Sequence, residues 1–424
     1  LGFRAPFSTK KFEMRASELV ITAGSAFALG FALSKWHSSL CLRRPKVLPP
    51  SQDASSSREA EVAASTKVGS YFNGSLNAAM VYIGDSLDLY RHVRAIDANH
   101  TGATPTAVAN ASGLNERWVR EWMCQQTACG ILHRYADDVE GEASFGISEA
   151  MFTVLTDREN IHYACGLLSG FPFIMDRVCK LPECFSTGKG FTYDDGGELV
   201  ATAIERQHIK DFKHHLVQKA LPKIKAGAVV KRLRSGCRVA EVGFGAGGAL
   251  VALKKHFPNI ELHGFETSQH ALQRAKVNLA AAGLQDSVQL HDVTAHPTAL
   301  ADNGPYDFVL CWDVLHDAPH PDKLMESVRP VMANGGCWLV VDIATCDERA
   351  VDMVHRGGKA SMYFSMSLCL CMSSGLSAPG GMGLGTLGFT KKVAKKLSVK
   401  AGWSKMTTFE VAELPTNSFF VFYP

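Results

Sequence analysis

Three glycines at alternate positions, Gly243, Gly245 and Gly247, separate an apolar strand from the helix that follows it. Glycine lets the backbone turn sharply there and lets a ligand approach where a Cβ would clash. The start of the helix offers free N–H groups and the positive end of the helix dipole. Tight turns also use glycine for structural reasons alone, so this motif by itself leaves a ligand site and a plain turn both open.

Acidic residues end the strands that follow the glycine turn. Glu266 closes a second strand roughly 20 residues later, where doubly wound folds place a carboxylate for ribose hydroxyls. Further strands end at Asp292, Asp313 and Asp342. Strands that alternate with helical patterns predict an α/β fold, a Rossmann-like doubly wound sheet with helices on both faces. We expect the acids to line the crevice at its carboxyl edge.

Glu241, just before the glycines, favours a cationic ligand over a pyrophosphate, because like charges repel. With this acid, the motifs over 241–247, 305–309 and 329–342 resemble those of the class I S-adenosylmethionine-dependent methyltransferases. A dinucleotide-binding Rossmann domain is the alternative. The resemblance implies S-adenosyl-L-methionine as the cofactor, contacted by Glu241, Gly243, Gly245, Gly247, Glu266, Thr267, Asp292, Val293, Cys311 and Trp312.

Residues 67–155 carry the pattern of a winged helix. The apolar spacing predicts a long helix over 71–96, and a second helix begins after Asn115 and ends before Gly130. A small hairpin follows. The unit resembles the N-terminal domain of a bacterial-type winged-helix methyltransferase group related to winged-helix O-methyltransferases. That resemblance implies a homodimer, with this domain closing over the acceptor pocket.

The charges of the winged-helix unit argue against DNA binding. Arg117 and Arg120 on the would-be recognition helix are balanced by Glu116 and Glu121. The predicted wing is acidic and contains Asp137, Asp138, Glu140 and Glu142. Because these carboxylates would repel phosphates, we expect no nucleic-acid partner.

His316 and Asp317 are the candidate catalytic residues. They follow the fourth strand and resemble the Leu-His-Asp-Trp segment whose histidine is the base in winged-helix O-methyltransferases, with Ala318 in place of the tryptophan. Histidine suits this role since its unperturbed pKa is near neutrality. The alternative is that His316 only packs beside the cofactor. Because Phe244 and Ala246 depart from the family's first motif, an inactive cofactor-binding structural or regulatory protein is the runner-up function.

The methyl acceptor is expected to be a small organic molecule with an oxygen, nitrogen or sulfur nucleophile. The segment 352–388, rich in methionine, serine and glycine, is the predicted lid. The pocket candidates are Phe191 and Tyr193, from a helical connector over 156–230, with Met362 and Tyr363 from the lid. The methyltransferase domain itself is predicted to span 231–424.

The N-terminal segment 1–46 differs from the rest of the chain. Residues 1–47 contain eight Lys or Arg and two Glu, whereas the whole chain has a net charge of +3. The weakly apolar run 19–34 is a candidate membrane anchor, targeting segment or peripheral helix. The Pro- and Ser-containing stretch 47–66 is the predicted linker.

The twelve cysteines contain no Cys-x-x-Cys pair. Scattered thiols of this kind predict an intracellular, reducing compartment, with organelle targeting or membrane tethering through the N-terminus left open. His316 and His320 have metal-ligand spacing, but Pro319 and Pro321 prevent a helix between them, so no metal site is expected.

Overall fold

The computed structural model describes residues 58–135, 142–348, 353 and 358–424. The expectations for 1–46, including the apolar run 19–34, and for wing residues 136–141 lie outside the described residues. The described residues belong to one compact unit.

The chain enters this unit through two consecutive helices, α1 (Arg58–Ser86) and α2 (Leu89–Ile96). The sequence predicts one helix over 71–96, but Asp88 has a left-handed backbone with φ of 54°, which ends α1 and redirects the chain. Helix α1 also begins inside the predicted linker 47–66, so the last part of that stretch is helical.

The winged-helix fold follows, and each strand of its hairpin has two residues. Helix α3 (Pro105–Ser112) is capped by Thr104, and α4 (Glu116–Ala128) is capped by Asn115, whose side chain accepts from the N–H of Arg117. The antiparallel strands β1 (His133–Arg134) and β2 (Phe145–Gly146) form the hairpin. Their core includes Val93, Val108, Trp122, Met123 and Phe145.

A helical connector leads to the second domain. It contains α5 (Glu149–Thr156), α6 (Cys165–Leu168), α7 (Phe171–Thr187), α8 (Gly197–Asp211) and α9 (Ala228–Ser235). The turns after α8 are π-helical over Phe212–Ala220. Arg206 of α8 donates two hydrogen bonds of 2.7 Å to Asp85 of α1. This buried bidentate ion pair fixes the winged-helix domain on the connector.

A seven-stranded sheet forms the second domain, in the order β5-β4-β3-β6-β7-β9-β8. The strands are β3 (Arg238–Val242), β4 (Glu261–Glu266), β5 (Val288–Asp292), β6 (Tyr306–Trp312), β7 (Met332–Ile343), β8 (Lys405–Phe409) and β9 (Asn417–Tyr423). The strands β3 to β7 are parallel, and β9 lies antiparallel to both β7 and β8. The doubly wound fold is confirmed, and β8 and β9 add to the five strands that the sequence analysis identified.

Helices cover both faces of the sheet, as its apolar strands require. They are α10 (Gly248–His256), α11 (Gln269–Ala281), α12 (Ala299–Asp302), α13 (Pro321–Val328) and α16 (Lys391–Lys400). One apolar core contains Leu250, Leu253 and Phe308, and the opposite core contains Trp338 and Phe422. Phe419 and Val421 of β9 belong to the first core and Phe420 and Phe422 to the second, so alternate residues of this strand pack on opposite faces of the sheet.

The predicted lid is partly helical. It contains α14 (Gly358–Met366), a π-helical turn over Ser367–Cys371, and α15 (Met372–Gly375). A glycine-rich loop then runs to α16. None of the helices in the described ranges is long and apolar enough to cross a membrane.

Candidate active site

The glycine turn has the geometry of a ligand-binding loop. Gly243, Gly245 and Gly247 all have positive φ, at 71°, 55° and 78°. A Cβ on Gly243 would lie 2.4 Å from the side chain of Val314, so this glycine is needed for packing. A Cβ on Gly245 would meet nothing within 4 Å. The backbone of Gly245 is therefore open on the side where a ligand can approach.

Glu266 at the end of β4 holds the glycine turn in place. One oxygen accepts from the N–H of Gly245 at 2.8 Å, and the other accepts from the N–H groups of Thr267 and Ser268 at 2.8 and 3.0 Å. Burial raises the pKa of Glu266, while these three hydrogen bonds lower it, and the net shift is upward. The hydroxyl of Thr267 also donates to that second oxygen at 3.4 Å, so the oxygen facing Gly245 has a single partner among the described residues. Because a carboxylate oxygen has two acceptor positions, this oxygen can still accept from a ligand hydroxyl.

Glu241 is a buried acid without a counter-charge. Its side chain is 1% exposed, and its Oε2 atom has no hydrogen-bond partner among the described residues. Burial raises the pKa of Glu241 well above its usual value, and the neighbouring charge of Glu266 raises it further. Two buried acids beside a glycine turn favour a ligand that brings positive charge.

Asp292 and Val293 lie one strand further along the edge. Asp292 accepts from Gln269 at 2.7 Å and from the N–H groups of Thr294 and Ala295. These hydrogen bonds lower its pKa, those from Ala295 and Gln269 most. The N–H of Val293 donates to the carbonyl of Glu266 at 2.9 Å. The structure thus brings both residues, with Thr267, to the edge predicted for the cofactor.

Cys311 and Trp312 end β6 as buried residues. The Trp312 ring packs edge-on against Phe212 with 5.1 Å between ring centroids, and its Nε1–H has no acceptor in the described part of the chain. Trp312 thus fixes the π-helical segment against the sheet edge.

Asp313 has the most unusual backbone at this edge. It is a non-glycine residue with φ of 53°, and such strain is concentrated at functional sites. One carboxylate oxygen lies 3.4 Å from Nε2 of His208, and the other is buried with no partner in the described ranges. Burial raises the pKa of Asp313 to about 7, although His208 opposes the shift. Asp313 is one of the strand-ending acids that the sequence analysis expects at this edge, whereas His208 was not among the site candidates from sequence.

His316 lies between two acids. Its Nδ1 is 2.7 Å from Oδ1 of Asp342, and its Nε2 is 3.0 Å from Oδ1 of Asp317. Burial by itself lowers the pKa of His316, but the charges of Asp342 and Asp317 outweigh burial and raise it well above the usual value. Both acids therefore favour the protonated imidazole, and Nε2 becomes a base only after it has lost its proton and Asp317 has moved away from it.

One of the four predicted pocket residues, Tyr193, lies near this site. Burial raises the pKa of Tyr193 well above its usual value, and the charges of Asp317 and Glu266 add to the shift. Tyr363 is buried. Met362, in contrast, is 43% exposed, and Phe191 faces Arg177 of the connector. The structure therefore does not bring all four side chains together.

Two overlapping groups of potential metal ligands share His316. One contains His316, Asp317 and Cys371, and the other contains Asp313, His316 and Asp342, with ligand atoms within 4.8 Å of one another. The same acids can balance a cationic ligand.

Sequence reasoning missed the contact of Asp342 with His316. The available signal was that Asp342 ends the strand next to β6, so its side chain must emerge beside the segment that carries the histidine. His208 had no comparable signal, because α8 reaches the sheet only through the tertiary fold.

Comparisons with known proteins agree with this geometry. A methyltransferase domain model matches residues 240–338, and a model of the Rv2258c-like winged helix-turn-helix domain matches residues 75–144. Ubiquinone biosynthesis O-methyltransferase from Azoarcus sp. (strain BH72) is 29% identical over 102 residues, which are 24% of this chain and 42% of that protein. The chain thus aligns with less than half of this curated relative.

Solved structures extend the similarity to the whole described fold. Mitomycin 7-O-methyltransferase MmcR matches with a TM-score of 0.61, 16% identity, and coverage of 87% of this chain and 100% of that one. An O-methyltransferase family protein from Burkholderia thailandensis matches at 0.60 and 15%, covering 85% and 97%. Human N-acetylserotonin methyltransferase, solved with S-adenosylmethionine, matches at 0.59 and 12%, covering 87% and 99%.

The resemblance inferred from sequence is confirmed. The chain carries a methyltransferase domain preceded by an Rv2258c-like winged helix-turn-helix domain. Its fold is that of the class I methyltransferases of the winged-helix type.

Proposed function

We propose that the protein is an S-adenosylmethionine-dependent methyltransferase that acts on a small organic acceptor. The observation that carries the proposal is the pair of buried acids, Glu241 and Glu266, at the open glycine turn. Glu241 has an unpaired oxygen, and the oxygen of Glu266 that faces Gly245 has a single hydrogen bond from the described residues. These residues fit a ligand with positive charge and ribose hydroxyls.

When bound, S-adenosylmethionine supplies a methyl group that its sulfonium already activates for transfer. The protein then has to hold the acceptor in line with that methyl group and exclude water. Glu266 would bind the ribose and Glu241 would face the positive charge, while buried Trp312 helps to keep water out. Once Nε2 of His316 has lost its own proton to solvent and Asp317 has moved away from it, this nitrogen would take the acceptor's proton, while Asp342 holds the proton on Nδ1.

Incubation of the purified protein with methyl-labelled S-adenosylmethionine and a metabolite extract tests this function. We expect label in a small acceptor, and none with the variant Gly245→Arg, which fills the open side of the turn. A matched control is Gly283→Arg, which replaces a glycine that also has positive φ and open space but lies beyond α11. Calorimetric binding of the cofactor without any labelled product would favour the inactive cofactor-binding alternative.

The winged-helix domain is proposed to dimerise. Helix α1 exposes a series of large apolar side chains that nothing in the described chain covers, with exposures from 47 to 69%: Val62, Val68, Tyr71, Phe72 and Leu76. We propose that a second copy of the protein covers this surface, because a two-fold symmetric dimer buries the same surface on both chains. Sedimentation should give a dimer for the protein and a monomer for the double variant Val68→Asp, Phe72→Asp. An unchanged mass would contradict the dimer.

Residues 1–46 are proposed as a tether or targeting segment rather than part of the fold. Their support is the basic charge around the run 19–34, since anionic lipid attracts each nearby cation by about 1 kcal/mol. A protein that begins at residue 58, where α1 begins, should bind cofactor normally but lose sedimentation with anionic vesicles. Loss of cofactor affinity in this truncated protein would show that the segment supports the fold.

A further inference from the structure

Arg177 is a buried arginine outside the proposed cofactor site. It lies on α7 and is 3% exposed. Its guanidinium carbon is 4.0 Å from the ring centroid of Phe191 and 5.0 Å from that of Phe173. These rings surround the cation with apolar surface but bring it no negative charge.

The described residues do not neutralise this guanidinium. Its Nε–H is buried without a partner, and the described part of the chain supplies no ion pair to the group. Burial lowers the pKa of Arg177, and the charges of Asp195 and Asp176 only partly oppose that. Arginine nevertheless stays charged in proteins. Burial of the Nε–H without an acceptor is unfavourable, so an anion that pairs with this guanidinium would be stabilised there.

Both neighbouring acids already have other partners. Asp195 accepts from the N–H and the hydroxyl of Thr192, each at 2.7 Å. Asp176 pairs with Lys180 at 2.7 Å on the exposed side of α7. Since neither acid reaches the guanidinium, the missing anion has to come from outside the described chain.

The segment 191–193 connects Arg177 to the acceptor side of the proposed active site. Phe191, which stacks on Arg177, donates its N–H to Ser373 of α15 at 2.9 Å. Two residues later, Tyr193 is close enough to Asp317 for that charge to raise the pKa of its phenol. A single short segment therefore has one side chain on Arg177 and another beside the catalytic pair.

We propose that Arg177 binds the carboxylate of the methyl acceptor, so that the acceptor is an organic acid with an apolar, preferably aromatic, body. This inference rests on the proposed function and adds the substrate class. A planar guanidinium matches a carboxylate through two parallel hydrogen bonds. Phe173 and Phe191 offer the apolar contacts that the body of such an acid needs. A partner protein could not reach a side chain this deeply buried, whereas a small acid entering beside the lid could.

The space between α7 and the lid is too small for an aromatic acid, so binding requires a conformational change there. The cavity beside Phe173, lined also by Val200 of α8 and by Met366 and Leu370 of the lid, has a volume of only about 20 Å³. That is room for about one water molecule. An aromatic acid therefore requires α14 and the turn after it to move away from α7.

The test uses two acids, benzoate and 3-phenylpropanoate, each against its neutral amide. Their binding is measured by calorimetry on the full chain saturated with S-adenosylhomocysteine. We expect at least one acid to bind at least tenfold more tightly than its amide, and Arg177→Met to abolish that preference. Arg177→Lys should retain part of it. The matched control Arg158→Met, at an exposed position, should keep the full preference.

Several results would overturn the proposal. Equal affinity of acid and amide for the unaltered protein is one, and an acid preference that survives Arg177→Met is another. Weaker S-adenosylhomocysteine binding by a folded Arg177→Met variant would assign the guanidinium to the cofactor's own carboxylate instead. If the unaltered protein bound no S-adenosylhomocysteine at all, the proposed function itself would fail, which separates the two outcomes.

Discussion

Nδ1 of His316 lies 2.7 Å from Oδ1 of Asp342, and both side chains are almost completely buried. The same carboxylate oxygen accepts the N–H of Ile343 at 2.8 Å, which fixes its orientation. The imidazole is therefore held with its proton on Nδ1, leaving Nε2 as the only nitrogen that can exchange a proton with an acceptor.

The pH dependence of methyl transfer should reflect this pair. The raised pKa of His316 means that neutral imidazole forms only above the usual range, so kcat/KM should increase with pH through neutrality into mildly alkaline conditions. Asp317→Asn removes a charge that raises this pKa, and the rising limb should move to lower pH. His316→Ala should lower kcat by roughly 10²–10⁴-fold without changing cofactor affinity. A flat profile that Asp317→Asn leaves unchanged would exclude the base role.

Cofactor affinity should depend on Glu266. The variant Glu266→Gln keeps one acceptor oxygen for the glycine turn but removes the charge that ribose hydroxyls bind. We expect calorimetry to show a loss of about 1.5–3 kcal/mol in binding S-adenosylmethionine. Glu261→Gln is the matched control, since Glu261 begins the same strand and pairs with Arg238 at the opposite edge. If the two variants bound S-adenosylmethionine with equal affinity, Glu266 would not be a cofactor-binding residue.

The cofactor-free protein should be destabilised by Glu241. Because burial raises its pKa, the folded state binds a proton more tightly than the unfolded state, and stability falls as pH rises above the usual carboxyl pKa. Glu241→Gln should therefore raise the Tm at pH 7 by about 2 °C or more while weakening S-adenosylmethionine binding. At pH 4 the two proteins should melt alike. A lower Tm for the glutamine variant at pH 7 would contradict this account.

The buried ion pair between Asp85 and Arg206 should contribute strongly to stability. Asp85→Ala leaves a buried guanidinium without its acid, which typically costs about 3–5 kcal/mol. Denaturant unfolding measures this loss. The control Glu121→Ala removes an exposed partner of Arg117 and should change the free energy of unfolding by under about 1 kcal/mol.

The winged helix should not bind DNA at physiological salt. Arg120, on the would-be recognition helix, lies 2.6 Å from Glu116 and 2.5 Å from Glu142, so its charge is already neutralised. Fluorescence anisotropy with duplex DNA should show no binding at low micromolar protein. If Glu142→Gln created salt-sensitive binding, the acid would be confirmed as the residue that prevents it, whereas tight binding by the unaltered protein would reject the prediction.

Features of the fold that depend on neighbouring residues in the sequence were predicted correctly. The strands ending at Glu266 and Asp292 and the cap at Asn115 depend on neighbours in sequence, and the structure has all three. The helix over 71–96 was predicted as continuous because its apolar spacing continues through Leu87 and Leu89 to Val93. The structure divides this stretch into α1 and α2. Tyr90 and Trp122 pack closely against Gly84, just before the end of α1.

Features that depend on distant contacts could not be predicted in the same way. His208 approaches Asp313 from a helix more than a hundred positions earlier in the chain, and nothing local to His208 marks it. Met362 and Tyr363 are adjacent in sequence but differ in burial, which only the orientation of α14 determines. Arg177 looks like an ordinary helix surface residue until α7 is packed against the segment containing Phe191.

The order of the last strands has a consequence for synthesis on the ribosome. β9 fills the place between β7 and β8, and the stretch 344–416 separates β7 from it along the chain. At about 5–20 residues per second, the edge of β7 therefore stays unpaired for several seconds after it emerges. That edge carries Trp338 to Val341, an apolar run with strong β propensity. The nascent protein consequently passes through an interval in which a chaperone or the lid segment has to shield this edge from other chains.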